Sequence, residues 1–461
     1  MRGAIAAGHP VTAAVGAEVL AEGGNAVDAC VAAGFASWVA ESPLTGPGGG
    51  GFMLVHTARD ARTRVLDFFA AVPSGRRELP QDVTIVFEGS QTQSFRVGTG
   101  TCAVPGTLAG LEAAHRTHGS RPWPSLVAPA VELAYGGVLV NDGQAILHTI
   151  LAPVLAETPA AGLPAGAQLV WPELGSTLER IAEGGASAMY SGEVARAIAR
   201  RVPALRAADL ARYRVVRRRP VLARYRGAEF LSNPPPSSGG VLIGYGLRQL
   251  ERPGRAGTPA AVARLARVME AQTRARERRL TRALAESGGT THISVVDVEG
   301  NAASLSASTG GGGSGVVVPG TGIHLNNMLG ELDLMVGDPR PGERLTSMMA
   351  PSLALADGRV RLVVGSAGSN RLRGAIMQVA VNVLGHGQGV SQAIDAPRVH
   401  LEGGILHLEP PLETGAVPYE VVRWHGLNLF FGGVSAVERR ADGTLAAAGD
   451  PRRSGAAFVV D

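Results

Sequence analysis

The chain contains no lysine; all 43 of its basic residues are arginine. That absence removes Schiff-base lysines, Ser-Lys dyads and phosphate loops of the GK[ST] type from consideration. Cysteine is almost as scarce. Cys30 and Cys102 are the only two, too few for a disulfide framework or a zinc site, and Cys30 falls on an apolar helical face that reads as core. Among the histidines only His115 and His118 lie close together, with no HExxH pattern, so neither a metal nor another cofactor is expected. No apolar run is long enough to span a membrane. The opening "MRGAIAAGHP" also lacks the apolar stretch and cleavage site of a signal peptide. These absences lead us to expect a soluble cytoplasmic protein.

With 461 residues and 45% hydrophobic content, the chain can bury a substantial core. Length alone suggests two or three domains, a soft prior that large single enzymes often break. Glycine (63) and proline (29) are abundant but dispersed, which suits a turn-rich globular protein rather than a disordered one. The net charge of +4 is modest. The densest basic run, Arg274 to Arg282, has Glu270, Glu277 and Glu286 in and around it and no interleaved aromatics. It reads as a solvated helix face, and nucleic acid is not expected as a partner.

Periodicity supplies the organisation. Val15 and Val19 share a face in a helix over 11–23, which Gly23-Gly24 stops. Asn25 suits the N-cap of a second helix over 26–41, where Val27, Cys30, Val31, Gly34, Phe35 and Trp38 keep the helical period. "SPLTGPGGGGFMLVH" turns into a strand whose hairpin partner is "TRVLDFF", 63–69. Helical patterns dominate 107–200 and return at 259–285. From Thr290 onward short strands follow, "THISVVD", "NAASLSAS", "GVVV" and "GIHLNN". A hairpin over Asp357-Gly358 and a helix over 371–385 complete the pattern. Strands at both ends, with helical blocks between them, point to a layered α/β structure built as one unit.

Chemistry concentrates at "ESGGTTHISVVDVEGN", 286–301. A threonine hydroxyl needs a base, and an amino-terminal threonine carries one in its own α-amine, with an ordinary pKa of about 7.7–8.0. Thr290 would gain that amine only by a break after Gly289, whose missing Cβ exposes the carbonyl to attack. Taken alone, a Gly-Thr pair before a strand also fits ordinary β-propensity. A second candidate, "VVGSAGSNR" (363–371), runs strand, glycine turn, helix. Such a turn is an anion or oxyanion site or simply a tight connection. "GPGGGG" (46–51) and "STGGGGSG" (308–315) lack the setting of phosphate loops and read as backbone turns near a site.

Several segments along nearly the whole chain resemble the γ-glutamyltranspeptidase family of N-terminal-nucleophile (Ntn) hydrolases. They include "AAGHPVTAAVGAEVLAEGGNAVDACVA", "GPGGGGFMLV", "VPGTLAGLE", "NPPPSSGG", "GGTTHISVVDVEGNAASLSAS", "GIHLNNMLGELD", "ERLTSMMAPSLAL", "GSAGSNR" and "AGDPRR". The resemblance implies an αββα sandwich, made as a precursor that cuts itself before a threonine. Here it would divide the chain into 1–289 and 290–461, two fragments of one intertwined domain that stay associated.

By the same resemblance Thr290 is the nucleophile, and Gly289 donates the scissile carbonyl. Ser308 replaces a second threonine that supports the new amine, and Gly368 and Ser369 match the oxyanion donors. Glu331 matches the acid that holds the substrate α-amine, usually aspartate. Thr346 and Ser347 match substrate-binding serines, and Asn327 belongs to the same substrate region. Three departures concern recognition. Phe69 stands where the family arginine grips the glutamyl α-carboxylate, Met328 replaces a polar residue, and Gly310 replaces an asparagine. The expected substrate is a small amide, with water or an amine as acceptor. The acyl group is γ-glutamyl or, in an amidase or acylase, something else. An uncut binding or structural homologue is the third reading.

Overall fold

Glycines with positive φ close several hairpins of this chain, at Gly227, Gly300 and Gly358. The computed structural model describes residues 2–86, 92–279, 289–331, 334–335 and 339–461. The expected helix end at 280–285, Gly288 and residues 280–282 of the basic run lie outside these residues.

Numbering the strands of the two large sheets in chain order gives β1 (Gly3–Ala7), β2 (Gly50–Thr57), β3 (Arg62–Phe68), β4 (Val216–Arg218), β5 (Val221–Tyr225) and β6 (Ala228–Ser232). After them come β7 (Thr291–Asp297), β8 (Ala302–Ser308), β9 (Ser352–Ala356), β10 (Arg359–Ala367), β11 (Gly433–Arg439), β12 (Leu445–Gly449) and β13 (Ala456–Val460). The first sheet has seven strands in the order β13-β1-β7-β8-β2-β3-β4. The second has six, in the order β12-β11-β10-β9-β6-β5. Every neighbouring pair in both is antiparallel.

The sheets face each other through β7, β8, β10 and β11. Helices α1 (Pro10–Ala21), α2 (Ala26–Ala40) and α3 (Thr107–His118) cover the outer face of the first sheet. Helices α4 (Gly239–Gln249), α5 (Pro259–Arg279) and α6 (Leu372–Ala380) form the layer beyond the second. The architecture is the αββα sandwich. Strands from before and after position 290 interleave, since β1 lies between β7 and β13.

Local chemistry explains these elements. The Asn25 side chain accepts from the backbone N–H groups of Val27 and Asp28, and Asp28 returns a bond to the Asn25 N–H, a capping box that fixes the start of α2. The α2 helix is buried from end to end, and this suits its alanine-rich sequence. The hairpin over Asp357-Gly358 joins β9 to β10 as the pattern predicts, and β2 pairs with β3.

Three expectations change in detail. "GVVV" contributes only the two-residue strand Val317–Val318. The helix expected over 371–385 opens with a 3-10 turn at Ser369–Arg371 and widens to a π turn at Val381–Gly385. The basic run is not wholly solvated either. Arg274 pairs with Glu270 at the exposed surface, but Arg276 turns inward to donate to the Asn370 side chain at 3.1 Å. Among the described residues no helix is long and apolar enough to cross a membrane.

Candidate active site

Side chains alternate along a strand, so the residues of β7 serve two different layers. Ile293 and Val295 enter the core on the helix side. His292 and Ser294 face the second sheet; His292 bonds Ser306 of the neighbouring β8 at 2.8 Å, and the Ser294 hydroxyl donates to the Ser435 carbonyl of β11 at 2.9 Å. The same alternation sends Thr291 toward the helices and Thr290 into the gap between the sheets. Thr291 pairs with Ala307 as the first rung of the β7–β8 ladder, and Thr290, just before it, lines the same cleft as Ser308.

Around that point the backbone is tightly held. The Ser308 hydroxyl donates to the Gly289 carbonyl and accepts from the Gly310 N–H at 2.8 Å. Gly289 N–H donates in turn to the Gly310 carbonyl at 3.3 Å. Gly310 has φ +84, and a Cβ there would stand 3.1 Å from Glu331 Oε1 and 3.2 Å from Asn327 Cβ. Glu331 Oε1 accepts from the Gly311 N–H at 2.8 Å. The glycine turn at 308–315 therefore does lie beside the site. It approaches closely enough to crowd the asparagine side chain that the family resemblance would place at 310, and its positive φ adds strain to any such side chain.

The strand-to-helix turn supplies the opposite wall. Gly368 (φ +121) and Ser369 (φ +57) follow β10 and lead into α6. Ser369 is thus a non-glycine residue in the left-handed region, a conformation costing on the order of 1 kcal/mol. Phe69 is 1% exposed and stacks on Phe52 with ring centroids 5.3 Å apart. Its backbone is fixed at both ends. The N–H donates to Asp67 at 3.0 Å, and the carbonyl accepts from the Tyr213 hydroxyl at 2.8 Å.

These pieces enclose one small cleft. Thr290, Ser308, Glu331, Ser347, Ser369 and Asn370 form its polar lining. Phe69, Met328, Leu334, Met348, Met349 and Leu372 form the apolar part. Two expected residues, Thr346 and Asn327, are not part of this lining. The Thr346 hydroxyl donates to the Leu334 carbonyl at 3.0 Å, and Asn327 donates its N–H to the Thr309 carbonyl at 2.7 Å. Gly289 and Gly368 adjoin the cleft as chain neighbours of Thr290 and Ser369. A larger depression of about 470 Å³, between the turns at 225–229 and 355–358, lies at the other end of β10 from Gly368.

No arginine lines the cleft among the described residues. Arg344 lies 3.6 Å from Asp67 and over the Tyr213 ring. Arg371 pairs with Glu402 at 3.4 Å and covers the Phe430 ring, while Arg373 donates to Thr273 at 2.7 Å. None of the three occupies the space where a substrate carboxylate would need a cation.

The family model described as γ-glutamyltranspeptidase matches residues 12–283 and 258–460. The chain belongs to that family. It is 32% identical to an acylase ACY 1 proenzyme of a Pseudomonas species (strain SE83), covering 100% of this chain and 94% of that one. It is 30% identical to the glutathione hydrolase proenzyme of Escherichia coli (strain K12), over 98% and 90% of the two chains. Among solved structures, the cephalosporin acylase of Bacillus halodurans superposes with a TM-score of 0.80 over 99% and 95% of the chains. At 23% identity that likeness speaks for the fold alone. Helicobacter pylori γ-glutamyltranspeptidase matches at 29% identity and a TM-score of 0.52, over 58% and 81%.

As a γ-glutamyltranspeptidase-family protein the chain is a self-processing Ntn hydrolase or acyltransferase. Sequence reasoning missed Leu334, Met348, Met349, Asn370 and Leu372. All lie inside or beside quoted motifs, but nothing in their pattern says that they face one cavity.

Proposed function

We propose that Thr290 attacks the Gly289 carbonyl and afterwards serves as the nucleophile of an amidohydrolase whose acyl group is not γ-glutamyl. One observation carries this reading: a glycine carbonyl held by Ser308 beside a buried threonine hydroxyl, in a cleft whose recognition end is apolar. In the first step the Thr290 Oγ–C bond forms, the Gly289–Thr290 C–N bond breaks, and the nitrogen takes up the proton lost from the hydroxyl and leaves as the α-amine. Water then hydrolyses the ester, freeing the Gly289 carboxylate and the Thr290 hydroxyl. The segments 1–289 and 290–461 stay together because their strands interleave in the first sheet.

In turnover the α-amine takes the hydroxyl proton as Thr290 attacks an amide, and returns it to the leaving amine. The backbone N–H groups of Gly368 and Ser369 stabilise the oxyanion, and Ser308 orients the amine. Water or a second amine then takes the acyl group. Glu331 is placed to meet a substrate ammonium. With Phe69 stacked in the wall, an α-carboxylate would meet no cation among the described lining residues, at a cost that strongly disfavours it.

Intact-mass spectrometry of the purified protein tests the first half of this reading. Two fragments meeting between 289 and 290 are expected, and a persistent full-length chain would favour an uncut structural role. Hydrolysis of paired anilides, one γ-glutamyl and one of similar size without the α-carboxylate, tests the second half.

A further inference from the structure

Behind the threonine strand, on the face turned away from the cleft, lies an acid that the proposed chemistry does not use. Glu41, at the C-terminal end of α2, is 4% exposed, and among the described residues no cation pairs with it. One carboxyl oxygen accepts from the Thr12 hydroxyl of α1 at 2.8 Å and the other from the Thr291 hydroxyl at 2.5 Å. Gly8 leaves space for it, since a Cβ there would stand 2.5 Å from Glu41 Oε2. One carboxyl thus ties two helices to the first residue of β7, immediately after Thr290.

We infer that Glu41 is a positioning residue for self-cleavage: through the Thr291 hydroxyl it holds the start of β7 so that Thr290 stays against the Gly289 carbonyl. Thr290 precedes its strand and has no ladder partner of its own in the regular pairing, so its position is set by its neighbour. A burial this complete without an ion partner is costly, and apolar contact at this position would stabilise the fold more simply. A charge-assisted hydrogen bond gives the directional grip on Thr291 that apolar packing cannot give.

Burial lifts the Glu41 carboxyl to about 7, while the bonds from Thr291 and Thr12 pull it down. Below neutral pH it is protonated, and one hydroxyl must turn from donor to acceptor. Above neutral pH both hydroxyls donate to a carboxylate and the grip is strongest. The two buried histidines nearest to it stay neutral in this window. Burial holds His9, the N-cap of α1, to about 4, and His292 of β7 to about 3. Glu18 of α1 is exposed, and Asp28 of α2 and Asp297 of β7 lie at the far ends of their elements.

The inference rests on Thr290 as the self-cleaving residue, so Thr290→Ala is the separate control for that reading. Freshly translated full-length chain is followed by gel for conversion to two fragments between pH 5.5 and 8.5. Wild type is expected to speed up through an inflection near pH 7. Glu41→Gln should cut at the slow acid-side rate with no inflection, about tenfold below wild type at pH 8. Thr291→Val should slow cleavage at least tenfold, with Thr291→Ser restoring it to within threefold. Should Glu41→Gln fail to fold, the wild-type inflection and the Val/Ser pair decide. Wild-type rates without an inflection, Thr291→Val cutting as fast as wild type, or Glu41→Gln keeping the inflection would each overturn the positioning role. Cleavage of Thr290→Ala would instead remove the reading beneath it.

Discussion

The two ends of the cleft obey different rules. At the proposed reaction end, Thr290, Ser308 and the turn at 368–369 are held mostly by main-chain geometry: a ladder register that begins at Thr291, two glycine turns and one hydroxyl bond to a carbonyl. At the proposed recognition end, Phe69, Met328, Leu334, Met348 and Met349 present apolar side chains. Main-chain donors tolerate substitution of the residue that carries them, whereas charge recognition needs one particular cation in one particular place. A chain of this family can therefore change what it binds while keeping the machinery that cuts.

The most severe way to break this comparison is Thr290→Ala, which removes the hydroxyl and should leave one uncut chain on a denaturing gel. Next comes substrate. An unpaired carboxylate in the cleft costs on the order of 2–4 kcal/mol, so kcat/KM for γ-glutamyl anilides should fall roughly a hundredfold below that for matched substrates without it. Micromolar-KM hydrolysis of glutathione would contradict the division between the two ends. Phe69→Arg should narrow the gap, but less than fully, because it also removes the stack on Phe52. A smaller effect is expected at Ser308. Deleting its hydroxyl in Ser308→Ala should slow self-cleavage by roughly tenfold or more, consistent with a lost hydrogen bond of about 1.5 kcal/mol. Ser308→Thr should restore most of the rate in the same assay. The smallest change is Ser369→Gly. It relieves a left-handed φ of +57, keeps the N–H donor and should raise stability by at most about 1 kcal/mol in denaturant titration.

Much of the fold was legible because its elements carry local signals. Asn25 caps α2 where its spacing to Asp28 says it should, and the hairpins at β2–β3 and β9–β10 follow alternation and turn chemistry. Legibility failed where the deciding contact is distant in sequence. Arg276 belongs to a run that looks solvated, yet it reaches Asn370 in the cleft wall. Thr346 and Asn327 lie in the right motifs but are not among the residues lining the cleft, because a motif places a segment and not the direction of each side chain. Glu41 gave no signal at all. In "VAESPL" it is one acid at the end of an alanine-rich helix, and its partners Thr12 and Thr291 lie 29 and 250 residues away.

By itself, then, the sequence determined the alternation that separates Thr290 from Thr291, the glycine at the proposed cut and the aromatic residue in place of a cation. Each is a property of a residue or of its immediate neighbours, and period-two geometry needs no tertiary partner to be read. Tertiary structure alone decided which layer each face of β7 meets. It brought Ser308 against the Gly289 carbonyl, gathered Phe69 with Met328, Met348 and Leu372 around one cavity, and turned Arg344, Arg371 and Arg373 toward other partners. The physical reason is that charge pairing and burial depend on distances across the packed layers, and separation along the chain does not encode those distances.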